Sequence, residues 1–508
     1  MSPRIIVAGL MAVLSSLSIA AFAAGTWVNG QAADVVLGQA NFTTVNPTIS
    51  SSIANHVSGV AVDPTSGKVF VVDTSSNRIL RFASAAAMVS GSAAEAIFGQ
   101  PNPTSSSPNA GGAPSAKTFS IPEGINVDVS GRMWVADREN HRVLRFDGVS
   151  TKASYSDADA VLGQANFALT TINRGGAVAA NTLKQPLGVW HNGATLWVAD
   201  AGNNRVLAYH FASSKPNGGA ADVVLGQSLM TTSGPGPTLA QLNLPYAVTV
   251  APNGSSLYVA DAGNDRVLRF DDVDNKGNGA IANGRLGQSG QPSATTMDVP
   301  SGVAVDSAGR LYVADKNHNR VLVFNDAQNK PHGAAADNVL GHIDFGVALN
   351  GIVSEKTLYN PTSVFFDLSK NVLWVSEYYN NRAMRFSPFG ALLDIDASGN
   401  PTKFDPFSDG LLILRYLFQL NGPTLTAGAL GGTATRTDPV AVKAYLDSIK
   451  PALDVDNDGK QDALSDGLLI LRYLFGLRGT ALTDNAIGAG ATRNSAATIE
   501  PYIQSLMQ

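Results

Sequence analysis

The most chemically pointed stretch of this 508-residue chain is DVDNDGKQDALSD, residues 454–466. Asp454, Asp456 and Asp458 alternate, Gly459 permits a sharp bend, and Asp462 and Asp466 follow. Carboxylates at alternate positions ahead of a glycine converge on one hard cation, and such an oxygen set suits calcium. The expected ligands are the side chains of Asp454, Asp456, Asp458, Asp462 and Asp466, with Lys460 offering its backbone carbonyl. An imperfect copy, DIDASGNPTKFDPFSD, opens at Asp394 and places Asp394, Asp396, Ser398, Asn400, Asp405 and Asp409 in the matching positions. Ser398 replaces a carboxylate and three residues are inserted before Asp405, so this loop should hold calcium weakly or stay empty.

Charge also recurs upstream, in a different pattern. Asp73, Asp137, Asp200, Asp261, Asp315 and Glu377 each stand five residues before an arginine: Arg78, Arg142, Arg205, Arg266, Arg320 and Arg382. A pair repeated in every unit serves the unit, bracing a turn or joining neighbours. Ligand contacts should instead be sought where the repeat is broken. Ser58, Glu123, Leu187, Tyr246, Ser301 and Thr362 occupy one variable column, just before a Gly-Val-like step. They are the candidate ligand contacts at the mouth of a central channel. Two long polar linkers, residues 101–120 and 165–184, belong to the same face.

The elements that must position these residues follow from repetition. HVSGVAVDPTSGKVFVVDTSSNRILRF, from His56, has five further versions, beginning at Ile121, Gln185, Leu244, Val299 and Asn360. Each holds three short runs rich in Val, Leu, Tyr and Trp between Gly, Asn and Asp turns, which reads as three antiparallel strands. The repeated acids lie 54 to 64 residues apart, leaving room for a fourth strand. That strand is AIFGQ at 96–100, AVLGQ at 160–164, VVLGQ at 223–227, GRLGQ at 284–288 and NVLGH at 338–342. The sixth unit has none behind it; its copy, VVLGQ, stands at 35–39, in front of the first unit. A six-bladed β-propeller closed by the N-terminal strand accounts for the displacement, since closure removes exposed sheet edges.

With G-x-x-V-D followed by L-Y-V-A-D-x-x-N-x-R-V-L-x-F, the units resemble the NHL repeat over residues 33 to 390. The resemblance implies the propeller fold and leaves function open, because such propellers include RNA binders, interaction platforms, sensors and lyases. The lyases acting on hydroxyglycine-extended peptides hold zinc with histidines just after the inner-strand proline. Here that column carries Ser58, Glu123, Leu187, Tyr246, Ser301 and Thr362, and the seven histidines occupy unrelated positions. RNA binding asks for a basic face with stacking aromatics, whereas net charge is −5. The reading is a recognition platform for a protein or extracellular ligand, with no nucleic acid. Its alternative is a propeller-fold lyase or hydrolase with a metal site on the channel axis.

From residue 391 the composition changes. SDGLLILRYLF occurs at 408–418 and again at 465–475, so two repeats of about 57 residues form one domain. Paired EF-hand-type loops leading into L-L-x-L-R-Y-L-F helices resemble the dockerin domain, which implies calcium as cofactor and a cohesin-like or surface partner. The second loop is thirteen residues long rather than twelve, and the copies lie about twice as far apart as dockerin repeats. Its helix is expected over residues 467–477, with Leu468, Leu471 and Phe475 on one face.

The first 23 residues read as a signal peptide: Arg4, an apolar run from Ile5 to Ile19, and Ala21-Phe22-Ala23 as a cleavage site. No later stretch is apolar enough to span a bilayer, so no transmembrane segment is expected after cleavage. The chain has no cysteine. An exported protein without disulfides needs another staple, and calcium is one. The expected compartment is the periplasm, cell surface or extracellular space. The expected domains are the signal peptide at 1–23, the propeller at 24–390, and a small α-helical calcium-binding domain at 391–508.

Overall fold

A computed structural model of the protein describes residues 27–84, 88–348, 352–388, 392–398 and 404–507. The expected signal peptide and Asn400 lie outside the described residues. No helix among those residues is long and apolar enough to cross a membrane.

Six antiparallel four-stranded sheets form a β-propeller. The innermost strands are Val57–Val62, Pro122–Val127, Val189–His191, Pro245–Val250, Pro300–Val305 and Pro361–Asp367. Each touches its neighbour, and the sixth touches the first. The approach is close: a Cβ on Gly124 would lie 2.2 Å from the Leu187 carbonyl oxygen, so only glycine fits there. Second strands end at the repeated acids, as in Met133–Asp137, and third strands begin at the arginines, as in Arg142–Phe146. Five outer strands follow their own blades. The outer strand of blade six is Val35–Leu37, antiparallel to Arg382–Phe386 with Val35 opposite Arg385.

Strand interiors are apolar on both faces because each blade is sandwiched between two others. The core around Trp134, Val143, Leu196 and Leu207, for example, is shared by blades two and three. The N-terminal segment enters the same packing. Trp27 is buried and its indole N–H donates to the Tyr312 hydroxyl at 2.7 Å. The Asn29 side chain accepts the Val339 amide at 2.9 Å.

The repeated ion pairs are structural. Arg142 Nε donates to Asp137 at 2.7 Å, both side chains being wholly buried. Its other nitrogens donate to the carbonyls of Phe167, Ser115 and Thr118, tying the linker before the blade to the loop after it. The remaining Asp137 oxygen accepts the Ser120 amide at 2.7 Å. The other five blades repeat the pair, with Glu377 in place of Asp in blade six. A second staple joins each blade to the next. Asn77, Asn204, Asp265, Asn319 and Asn381 accept the amides of Ile121, Leu244, Val299, Asn360 and His56. In blade two His141 Nδ1 does the same for Gln185 at 3.1 Å. All six acceptors have φ between 51° and 57°, the left-handed region in which Asn and Asp are the most tolerant side chains. The recurrent Gly-Gln after the outer strand is also explained: Gln100 Nε2 spans the carbonyls of Asn77 and Ser107, and Gln164 those of His141 and Thr171.

Beyond the propeller lie helices α1 (Leu411–Leu417), α2 (Pro423–Thr426), α3 (Pro439–Ile449), α4 (Leu468–Leu474), α5 (Thr480–Thr483) and α6 (Ala496–Ser505). They share one core that includes Leu412, Ile413, Val442, Leu446, Leu469, Ile470, Ile499, Ile503 and Val28. The expected helix over 467–477 is shorter, and its core face differs. Leu469, Ile470 and Tyr473 are buried, whereas Phe475 is 47% exposed. The reason is the contact between the two copies: Gly410 sits against Leu471, and Gly467 against Leu414, so Leu471 serves the α1–α4 pairing instead of the core. Gly476, at φ +84°, follows the end of α4.

Candidate functional site

All six residues of the variable column come together. Ser58, Glu123, Leu187, Tyr246, Ser301 and Thr362 line one mouth of the channel, around a cavity of about 160 Å³. They gather there because every inner strand starts at the same end: five of the column are the second residue of their strand, and Leu187 lies two residues before Val189–His191. The sequence reading missed a second contributor. Arg138, Lys316 and Tyr378 also line the mouth. Each immediately follows the repeated acid of its blade, and the equivalents elsewhere are Thr74, Ala201 and Ala262. That column varies as strongly as the first, and its variability was the available signal.

The mouth is polar at its rim and apolar below. Arg138 Nη1 lies 3.4 Å from Glu123 Oε1, while its Nε lies 3.4 Å from Glu139. The Lys316 ammonium stands 5.5 Å from the centre of the Tyr246 ring and 6.0 Å from that of Tyr378. Behind Tyr378 the His56 ring stacks at 4.2 Å. Burial pushes the Glu123 carboxyl above its usual range, against the pull of Arg138 and Lys316. Burial pulls the Lys316 ammonium down, and the Glu123 charge opposes this. The Tyr246 phenol is raised by burial and then by Glu123. Further down, Val60, Ile125, Val189, Val248, Val303 and Val364 wall the cavity. Trp190 and Phe365 face each other there with ring centres 6.2 Å apart.

Two groups of side chains among the described residues are spaced to hold a metal ion, and both lie in the helical module. They are Asp394, Asp396 and Asp409, and Asp454, Asp456 and Asp458. In the second loop, the Asp466 carboxylate accepts the amides of Val455, Asp456 and Asp462. Asp462 caps the turn ahead of α4 by accepting the Ser465 amide. Lys460 is exposed, and its amide donates to Asp458 at 2.8 Å. In the first loop, Asp409 takes the amides of Ile395 and Asp405, and Asp405 accepts that of Phe407. The Ser398 amide donates to Asp394 and Asp396. Burial, then the charge of Asp396, pushes Asp409 up to about 7; burial, with a smaller push from Asp456, lifts Asp466 to about 6. Two conserved-in-copy arginines are engaged elsewhere: Arg436 donates to the carbonyls of Asp394 and Ile395, and Arg493 to those of Asp454 and Val455.

The NHL repeat family matches residues 119–146 and 297–324, which are the segments entering and building blades two and five. The chain therefore carries NHL repeats within a six-bladed β-propeller. Among solved structures it is similar to a streptogramin B lyase at 12% identity and TM-score 0.37, over 68% of this chain and 95% of that one. It is also similar to a Bacteroides thetaiotaomicron protein of unknown function at 14% identity and TM-score 0.42, over 70% of this chain and 76% of that one. No curated protein matches the sequence.

Proposed function

We propose that the protein is an exported recognition propeller that binds its ligand at the channel mouth and is docked or retained at a surface by a calcium-stabilised, dockerin-like module. One observation carries the binding part: the two columns that break the sixfold repeat meet at the same end of the channel. A repeated scaffold with one irregular end is the arrangement expected when blades supply stability and loops supply specificity. For the module, two clusters of three buried or half-buried carboxylates favour a hard cation. The ring itself is held by N-terminal strand closure in this reading.

A second reading of the same mouth has one observation in its favour. Glu123, Lys316 and Tyr246 all have shifted proton affinities and sit together, as acid and base groups do in lyases and hydrolases. The test for both is a ligand-detected NMR screen of a chemically diverse small-molecule set against the full chain and its Tyr246→Ala variant. Recognition predicts compounds whose signals respond to the parent and not to the variant, and which remain intact on long incubation. Conversion of a bound compound, lost in Glu123→Gln, would make the mouth catalytic. A screen with no variant-sensitive compound contradicts the mouth as a ligand site.

A further inference from the structure

The mouth carries a charge imbalance that specifies what it takes. Two cations, Arg138 and Lys316, face it with one lining carboxylate, Glu123. Arg138 is engaged by two carboxylates, at 3.4 Å each. Lys316 differs: among the described residues it makes no ion pair, and its ammonium is flanked by the faces of Tyr246 and Tyr378. Glu123 acts on Lys316 only from beyond ion-pair distance, so a lysine partly withdrawn from water here can gain from an anion that pairs with it directly.

Below this rim the inner strands descend with about 3.3 Å per residue. Trp190 stands three positions past Leu187, and Phe365 three past Thr362, so both rings lie about 10 Å down the channel from the rim. Around them are the valines and Ile125 of the wall. The lower part is therefore apolar and aromatic, and the whole mouth, about 160 Å³ from rim to well, has room for one small molecule of about the size of a single ring with its charged group. We infer that the mouth binds a small organic carboxylate on an aromatic or compact apolar stem, its anionic group paired with Lys316 and its stem lowered onto the paired rings of Trp190 and Phe365. This rests on the reading of the mouth as a ligand site and adds the class of ligand. Glu123 has a role in it as well. Lying beside the two cations, it rejects dianions by repulsion and leaves room for a single negative charge.

The experiment is a calorimetric comparison of three probes of similar size on the full chain: phenylacetate, its neutral isostere phenylacetamide, and the cationic phenethylamine. Phenylacetate should bind at least tenfold more tightly than either of the others. Lys316→Met, which keeps the stem and removes the charge, should weaken phenylacetate at least tenfold, and Lys316→Arg should restore most of it. An unchanged melting temperature shows that both variants fold. Equal binding of the amide, preference for the amine, or phenylacetate affinity indifferent to Lys316→Met overturns the inference. If the amine binds and Tyr246→Ala abolishes it, the carboxylate class is wrong while the mouth remains a ligand site. If no probe binds and the diverse screen also yields no mouth-dependent compound, both readings fall together.

Discussion

The propeller and the helical module both bury carboxylates in repeated positions, and they balance them in opposite ways. In the ring, each of the six repeated acids has a guanidinium five residues later, at 2.7 to 2.8 Å in five of the six blades. Each arginine then spends its remaining donors on linker carbonyls, so charge and backbone are satisfied together. In the module, Asp409 and Asp466 receive backbone amides, and the two matching arginines serve carbonyls and stack on Tyr445 and Tyr502 at 3.7 Å. Amides are partial charges, and Asp409 still rises to about 7. The contrast teaches that the repeated acids of the ring are neutralised within the protein, while those of the module are met by backbone amides alone, which is the deficit the proposed cation would fill.

The strongest way to break the ring half of that comparison is to remove residues 24–42. Blade six then loses Val35–Leu37, the shared core loses Trp27, and Arg382 loses the Phe42 carbonyl. Burial of a large aromatic alone is worth about 3–5 kcal/mol, and an opened sheet edge invites association. Aggregation, or a far lower melting temperature, is expected in a thermal scan with light scattering. A truncated chain that melts like its parent would show that closure does not hold the ring.

Next in size is Arg142→Ala. It leaves Asp137 buried without its guanidinium and strands the carbonyls of Ser115, Thr118 and Phe167. The expected loss is about 3–5 kcal/mol, read from urea unfolding. A loss below about 1 kcal/mol would mean the pair is ornamental.

Smaller still is the joint between blades two and three. His141→Asn keeps a left-handed-tolerant residue and an acceptor for the Gln185 amide, so its effect should stay within about 0.5 kcal/mol. His141→Leu leaves that amide unsatisfied and strains the backbone, at a cost of about 1–3 kcal/mol. The reverse order would contradict the interblade role given to this position.

Much of this was legible in the sequence, for identifiable reasons. Strand positions could be read because each blade is packed on both faces and needs apolar runs between Gly and Asn turns. The bracing role of the Asp–Arg pairs followed from their occurrence in every unit. The variable column from Ser58 to Thr362 pointed to the mouth, since a repeat fixes which end each position occupies. Lys316, Arg138 and Tyr378 were missed because they adjoin a repeated acid, whose regularity hid the variability beside it. The left-handed acceptors were visible only as an Asn-rich turn, because their partner amides lie 34 to 44 residues onward, or back at His56 where blade six meets blade one for Asn381. The face of α4 was misassigned because helical spacing alone cannot tell a core contact from a helix–helix contact made across Gly410 and Gly467.

The measurement that tests the comparison most directly is a calcium titration of the full chain by isothermal calorimetry, alongside Asp458→Ala and Asp394→Ala. Binding at the second loop is predicted, together with a calcium-dependent rise in stability of about 2.7 kcal/mol when calcium exceeds the dissociation constant a hundredfold. Asp458→Ala should abolish the stronger site, and Asp394→Ala should have the smaller effect, because Ser398 already deprives that loop of a carboxylate. No heat at millimolar calcium would contradict the claim that the module is completed by a cation. Equal losses in the two variants would contradict the ranking of its loops.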